Sequence, residues 1–224
     1  FTKMKKKDLS IIIAHYMPTD NGKQNPLIKT LKSINNQKNN YNIEIIIADD
    51  GSDYTNDIIN NFSKKISIED DKRDIYVLNN NKLNLWLKNK NINPSLISNW
   101  VYIPKYINCM SKARVVNQAV KLSNSEYLCF LDDDNYFISD NSIGNIINLF
   151  KNYNLIIGQV KDNNGEFRFY SSHRVQGTTI AVKKNIIENI DGFGEWTEEF
   201  SCGVDSDLWI KLFTYFNKDK NLKA

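Results

Sequence analysis

Three aspartates, Asp132, Asp133 and Asp134, stand side by side at the end of the apolar run EYLCFL. Like charges about 4 Å apart, at an effective dielectric of about 20, repel by roughly 4 kcal/mol per pair. A solvated loop dilutes that repulsion, whereas a divalent cation or another positive partner turns it into attraction. A second acidic turn, Asp49-Asp50-Gly51-Ser52, follows the apolar run IEIIIA. Asp and Gly are common turn residues, so this turn alone reads as a plain β-turn. Two acidic turns after two buried strands are more specific, because ligands of open α/β sheets collect outside the carboxyl ends of the strands. Carboxylates without a His or Cys cluster favour Mg²⁺ or Mn²⁺ over Zn²⁺. Magnesium-type ions take one or two protein carboxylates and leave other positions to water and substrate phosphates. The chemistry indicated is a phosphate-bearing ligand held through a metal. A third acidic stretch, CGVDSDLWIKL (202–212), sets Asp205 and Asp207 at a helix start. A carboxylate there either caps the helix or takes a proton from an attacking hydroxyl as a general base.

The elements that must position these groups alternate. LSIIIAHY (9–16) and IEIIIADDGS (43–52) read as buried strands, and DIYVLNN (74–80) as a third. Between the first two, Leu27, Ile28, Leu31 and Ile34 recur at helical spacing behind Pro26. Residues 53–65 predict another helix, with Ile58, Ile59 and Phe62 on one side. This alternation predicts βαβ units and a mostly parallel sheet. Residues 81–108 break the rhythm and crowd Trp86, Trp100, Tyr102 and Tyr106 without clean periodicity. They read as an acceptor platform, a partner interface or a small local core. Further on, 111–124 is a helix, 126–131 a strand, 141–153 a helix and 154–160 a strand. Residues 167–172 and 177–184 suggest antiparallel strands, 184–195 a short helix, and 205–216 a final amphipathic helix. No Gly-, Ser- or Pro-rich linker divides the chain, so one domain is expected.

With 224 residues, 41% of them hydrophobic, the chain can bury a sizeable core. A net charge of +3, with both signs plentiful, gives no nucleic-acid signal despite the lysines at 3–7. Cys109, Cys129 and Cys202 are odd in number and lack CxxC spacing. That argues against a disulfide framework or a zinc site and for a reducing compartment. No apolar stretch approaches the roughly 20 residues of a transmembrane span. The expectation is a cytoplasmic protein, with attachment at a membrane periphery as the variant. Because the chain begins at Phe1, a piece of a longer protein is also expected.

Taken in order, IIIADDGSDYT, SKARVVNQAVKLSNSEYLCFLDDDN and DGFGEWTEEFSCGVDSDLWIKL resemble the nucleotide-diphospho-sugar transferases of glycosyltransferase family 2. The resemblance covers nearly the whole chain and is weakest over 81–108 and 154–176. It implies an α/β fold of GT-A type: a Rossmann-like, mostly parallel central sheet, helices on both faces and a small antiparallel sheet on the acceptor side. Residues 1–134 would be the nucleotide-binding half and 135–224 the acceptor-binding half. The implied activity is inverting transfer of a sugar from a nucleotide donor, a UDP-sugar in the first instance, to a hydroxyl of a carbohydrate or glycoconjugate acceptor.

The resemblance also implies residue roles. Ala14 to Tyr16 line the base pocket, with Tyr16 stacking on the base. One of Asp49 and Asp50, Asp50 by preference, accepts a hydrogen bond from the base. Arg114 reaches the nucleotide, unless it is a solvated helix-face arginine. Asp132 touches the ribose, Asp133 supports the site, Asp134 binds Mn²⁺ or Mg²⁺, and Asp205 is the base. Two departures stand out. Val204-Asp205 replaces the family's usual Glu-Asp, and no histidine follows the last helix, since His15 and His173 both precede it. These departures keep open a sugar-nucleotide-binding domain without turnover. A nucleotidyltransferase is the other enzyme class considered, although PTDNGKQNP is a poor phosphate-cradling loop. A dehydrogenase is disfavoured, because no GxGxxG follows the first strand.

Overall fold

Strand formation begins where β-branched residues run without interruption. In the computed structural model, β1 (Leu9–His15), helix α1 (Pro26–Asn35), β2 (Ile43–Asp49) and α2 (Asp53–Ile58) follow one another. Next come β3 (Lys64–Ile66), β4 (Ile75–Leu78), α3 (Asn81–Asn89), a 3₁₀ turn at Pro94–Leu96, and β5 (Ile97–Tyr102). Then follow α4 (Lys112–Leu122), β6 (Tyr127–Asp132), α5 (Ser142–Leu149), β7 (Leu155–Ile157), β8 (Thr179–Lys183), α6 (Lys184–Asn189), α7 (Thr197–Phe200) and α8 (Val204–Lys218). The structure describes residues 6–18, 24–38, 40–58, 64–66, 74–78, 81–105, 109–168 and 179–224, without the side chains of 56–58, 64–66 and 81. The readings placed on Phe62, Tyr106, His173, most of 167–172 and the lysines at 3–5 fall outside that set. Among the described residues no helix is long and apolar enough to cross a membrane.

The eight strands form one sheet in the order β3-β4-β5-β2-β1-β6-β8-β7. Its centre, β5-β2-β1-β6, is parallel, while β4 and β8 run against it. The third sequence strand therefore adds to β5 in antiparallel fashion. Lys64 and Lys65, expected at the end of a helix, pair with β4 instead. The antiparallel strand β8 extends this same sheet next to β6. Outside the named strands, an antiparallel bridge joins Lys161 and Phe167.

Side chains alternate across the sheet, and both faces are covered, which is why the central strands read as continuous apolar runs. On one face Ile11, Ile13, Ile45 and Ile47 meet Leu27, Leu31 and Ile34 of α1 together with Leu87 and Ile143. On the other, Ile12, Ile46 and Phe130 meet Val115, Val116 and Ala119 of α4 together with Leu208 and Leu212 of α8. Helix α1 starts with an Asn25 cap that accepts from the Leu27 N–H, and Pro26 occupies its first turn.

The described part of the aromatic segment, 81–105, proves to be central. Trp100 is 1% exposed in the middle of β5. Its ring packs edge-on against Trp86 at 6.2 Å, and Trp86 stacks on Tyr54. The acceptor-platform reading of Trp86 and Trp100 is therefore corrected: these rings belong to the main core. The Trp100 Nε1–H donates to Asp49 Oδ2 at 3.0 Å. Trp100→Phe keeps most of the ring and removes that donor from a buried carboxylate. It is expected to lower stability by about 1–3 kcal/mol, measured as the shift in urea unfolding free energy.

Candidate active site

Register places the acidic turns together. His15 pairs with Asp49, and Ala14 pairs with Asp132, so β2, β1 and β6 end side by side. The order in which strands are added reverses at β1, with β2 on one side of it and β6 on the other. A crevice is expected at such a switch point. A cavity of about 610 Å³ opens there, with Ala14, Tyr16, Asp50, Asp132, Asp133 and Asp134 on its wall. Lys105, Lys112, Cys109, Met110 and Ser201 complete much of the lining.

The first acidic turn divides its two aspartates between opposite tasks. Asp49 is fully buried and accepts from the Ser52 N–H, the Thr55 hydroxyl and Trp100. It is spent on holding the turn and does not line the cavity. Asp50 does line it, taking the Ser111 N–H at 3.0 Å and Lys105 Nζ at 2.8 Å. Lys105 also lies over the Tyr16 ring, 4.1 Å from its centroid, an ammonium–aromatic contact. Gly51 is what permits this: its φ is +81°, and a Cβ there would stand 2.4 Å from the Lys105 nitrogen. A side chain would be strained by the backbone angle and blocked by backbone atoms.

The three consecutive aspartates point to three different partners, which resolves their mutual repulsion. Asp132 Oδ1 pairs with Lys112 Nζ at 2.8 Å, and the same ammonium reaches Asp205 Oδ1 at 3.0 Å. Asp133 turns back to His15 Nδ1 at 2.6 Å and to the Tyr16 N–H at 3.2 Å. His15 Nε2 lies 2.6 Å from the Tyr54 hydroxyl, and a ring protonated on Nδ1 satisfies both partners. Burial pushes the Tyr54 phenol well above its ordinary range. Asp134 stays on the cavity wall and accepts from Asn135 Nδ2 at 2.7 Å.

Arg114 is not brought to the cavity. It pairs with Glu195 at 2.9 Å and Glu198 at 3.0 Å, while the Ser111 hydroxyl donates to Glu198. The motif arginine thus clamps α4 to the segment around α7. Asn117, on the same helix, holds Phe193 and Glu195. Asp205 is reached through Lys112, and Asp207 serves elsewhere, on the Gly194 N–H and the Trp196 indole. The N-cap of α8 is Gly203, and both aspartates lie in its first turn. Val204, where the family usually has Glu, is buried in the second core. Lys105 and Lys112 line the cavity and were missed by the sequence reading, while His15 fell inside the stretch Ala14 to Tyr16 without a role of its own. Lys112 opens the KAR triplet, and Lys105 carries no motif signal.

Burial raises the Asp132 carboxyl, and Lys112 pulls it the other way. Burial also works against the charge on Lys112, but Asp132 and Asp205 outweigh it and leave the ammonium harder to deprotonate than usual. As for a metal, the donor set is two hard carboxylates, Asp132 and Asp134, facing one cavity. That fits the one-or-two-carboxylate habit of Mg²⁺ and Mn²⁺. Among the described residues no group of three or more His, Cys, Asp or Glu side chains forms a closed protein cage.

Burial also lifts the Asp50 carboxyl above its ordinary value, with Lys105 and the Ser111 N–H opposing it. Such a group holds its proton more tightly in the folded than in the unfolded chain. Its contribution to stability is therefore greatest at low pH and falls as pH climbs through the carboxylate range towards neutrality. Asp50→Asn is expected to remove that slope, gaining on the wild type between pH 4 and pH 7. Urea unfolding midpoints across that interval check it; parallel curves for the two proteins would contradict it.

Comparison with known proteins agrees with this fold. No curated protein matches the chain. Among solved structures, S. aureus TarS 1-349 aligns at a TM-score of 0.60 with 15% identity, covering 92% of this chain and 55% of TarS 1-349. TarS 1-349 also aligns as its complex with UDP-GlcNAc. The mannosyltransferase PcManGT from Pyrobaculum calidifontis, in complex with GDP-Man and Mn²⁺, aligns at 0.57 with 15% identity over 92% of this chain and 51% of its own. The 4-diphosphocytidyl-2C-methyl-D-erythritol synthase of Anaerococcus prevotii DSM 20548 aligns at 0.53 with 19% identity, covering 97% and 87%. The chain spans about half the length of the first two proteins. These likenesses establish a shared fold, and the profile of Glycosyl transferase family 2 matches residues 10–92 and 97–206, so the chain belongs to that family and carries its GT-A fold.

Proposed function

We propose that this protein is an inverting, metal-dependent glycosyltransferase that moves a hexosyl or N-acetylhexosaminyl group from a UDP-sugar to an acceptor hydroxyl. The observation that carries this reading is the gathering of Asp50, Asp132 and Asp134 on one cavity, with Asp205 tied to the same wall by Lys112. The base would lie against Tyr16, with Asp50 accepting from a ring N–H and Lys105 beside it to donate. The sugar nucleotides named for TarS and PcManGT are of the kind such a cavity would take. Asp132 would meet the ribose. Mn²⁺ or Mg²⁺ would be held by Asp134 and would offset charge on the donor's diphosphate.

The chain's own groups account for the remaining chemistry. Lys112 presents a positive charge on the cavity wall, and a pre-placed charge of this kind beside the donor's diphosphate would lower the barrier to its departure. The same ammonium fixes the Asp205 carboxylate by a hydrogen bond to one of its oxygens. Asp205 accepts the proton of the attacking hydroxyl. The hydroxyl oxygen bonds to the anomeric carbon as the bond to the diphosphate oxygen breaks on the opposite face. One displacement inverts the configuration without a covalent enzyme intermediate.

Calorimetric titration of UDP, with and without Mn²⁺, tests the donor site. Metal-dependent binding is expected in the wild type and is expected to be lost in Asp134→Ala. Asp205→Asn should then cut turnover of the preferred UDP-sugar by about 100-fold or more while leaving UDP affinity unchanged. Absence of UDP binding in both conditions would end the reading, and full turnover in Asp205→Asn would remove the base from it.

A further inference from the structure

Aromatic side chains missing from the surface at 86 and 100 are present elsewhere. Trp196 is 55% exposed and Phe200 65% exposed. They sit four residues apart across the single turn of α7, with ring centroids 5.9 Å apart and edge-to-face. Isolated exposed hydrophobics are ordinary, but this indole is both exposed and held. Its Nε1–H donates to Asp207 Oδ1 at 3.0 Å, and the other carboxylate oxygen takes the Gly194 N–H at 2.8 Å and Lys211 Nζ at 3.1 Å. Gly194 makes room for the arrangement, since a Cβ there would stand 2.5 Å from the indole nitrogen and 2.6 Å from the carboxylate. The turn is anchored from beneath by Thr197 and Glu198, both buried, the latter on Ser111 and Arg114.

We infer that Trp196 and Phe200 form a stacking platform for a saccharide acceptor, an assignment that rests on the glycosyltransferase reading above. Three observations converge. Phe200 directly precedes Ser201, which lines the cavity, so the platform starts at the cavity rim and continues outward. Asp205 follows four residues after Ser201, and Asp207, which orients the indole, is on the same helical turn as that base. The chemistry also suits: the C–H faces of a pyranose pack on a fixed aromatic face, and Glu199, exposed on the same turn, is an acceptor for ring hydroxyls. A platform pre-set by Asp207 loses little side-chain freedom on binding.

The test is saturation-transfer NMR on the UDP- and Mn²⁺-loaded protein, with methyl glycosides of glucose, galactose, N-acetylglucosamine and N-acetylgalactosamine as probes. The wild type is expected to transfer saturation to at least one glycoside, strongest at the ring C–H protons. Trp196→Ala and Phe200→Ala should weaken binding of that glycoside by about tenfold or more, the loss typical of a truncated aromatic anchor. UDP affinity should not move, and this also certifies the fold of each variant. Trp196→Phe, which keeps a ring, should restore part of the signal and stands in if the alanine variant is unstable. Silence from all four glycosides in a UDP-binding wild type, or equal signals in all variants, overturns the platform and leaves the donor reading intact. Failure of the wild type to bind UDP overturns the donor reading, and the inference with it. A wild-type dimer that Trp196→Ala converts to monomer would give this face to a second copy and likewise overturn it.

Discussion

Carboxylates that converge on one cavity repel, and the site is arranged around two ammonium groups that balance them. Lys112 stands between Asp132 and Asp205, and Lys105 stands between Asp50 and the Tyr16 ring. Without Lys112, the last residue of β6 and the first turn of α8 would face each other as like charges in a partly dehydrated space, where Coulomb terms are several times larger than in water. The lysine thus joins two elements that are distant in sequence. It also leaves the cavity with both signs of charge already in place. A phosphate arriving there meets ammonium groups, and a cation meets carboxylates, so ligand contacts replace internal ones without exposing a bare buried charge.

Much of this could be read from the chain. The central strands are legible because both faces of the sheet are covered, which gives β1 and β2 the same apolar stretch, Ile-Ile-Ile-Ala. The acidic turns are legible because they interrupt such runs. What could not be read is pairing at long range. Trp100 binds a carboxylate 51 residues away, and nothing in ISNWVY says that this strand lies next to β2. Its half-polar pattern follows from exposure at one end only, with Trp100, Val101 and Tyr102 buried and Ile97 to Asn99 not. Lys112 and Lys105 carry no pattern at all: a lysine in a polar stretch looks solvated until its partner, up to 93 residues distant, is known.

Arg114 shows the opposite failure. Its place in a motif suggested a ligand contact, yet the side chain runs to Glu195 and Glu198 and holds α4 against the α7 segment. Asp49 is consumed by three donors in its own neighbourhood, which leaves Asp50, the preferred one of the two, on the cavity. For Arg114 the residue type was read correctly as charge-bearing and its direction was not, since direction depends on which face of a helix meets the rest of the fold. Asp50, Asp132 and Asp134 differ because they stand at strand ends that the register, set by the apolar pattern, brings to a common edge.

The start of α8 shows how packing alone can direct charged groups. Val204, Leu208 and Leu212 recur every four residues and face the second core. At about 100° per residue, Asp205 falls to one side of that stripe and Asp207 to the other. One carboxylate is thereby aimed at Lys112 and the cavity, the other at the Gly194 turn and the Trp196 indole. Rolling the helix to bring both to one place would lift the stripe out of the core, at a cost of several kcal/mol of apolar burial. Val204, buried at the head of the stripe, fixes the first turn of the helix and with it the direction of Asp205. The proposed base and the proposed acceptor platform are therefore positioned by the same three buried side chains, and neither can move far without the other.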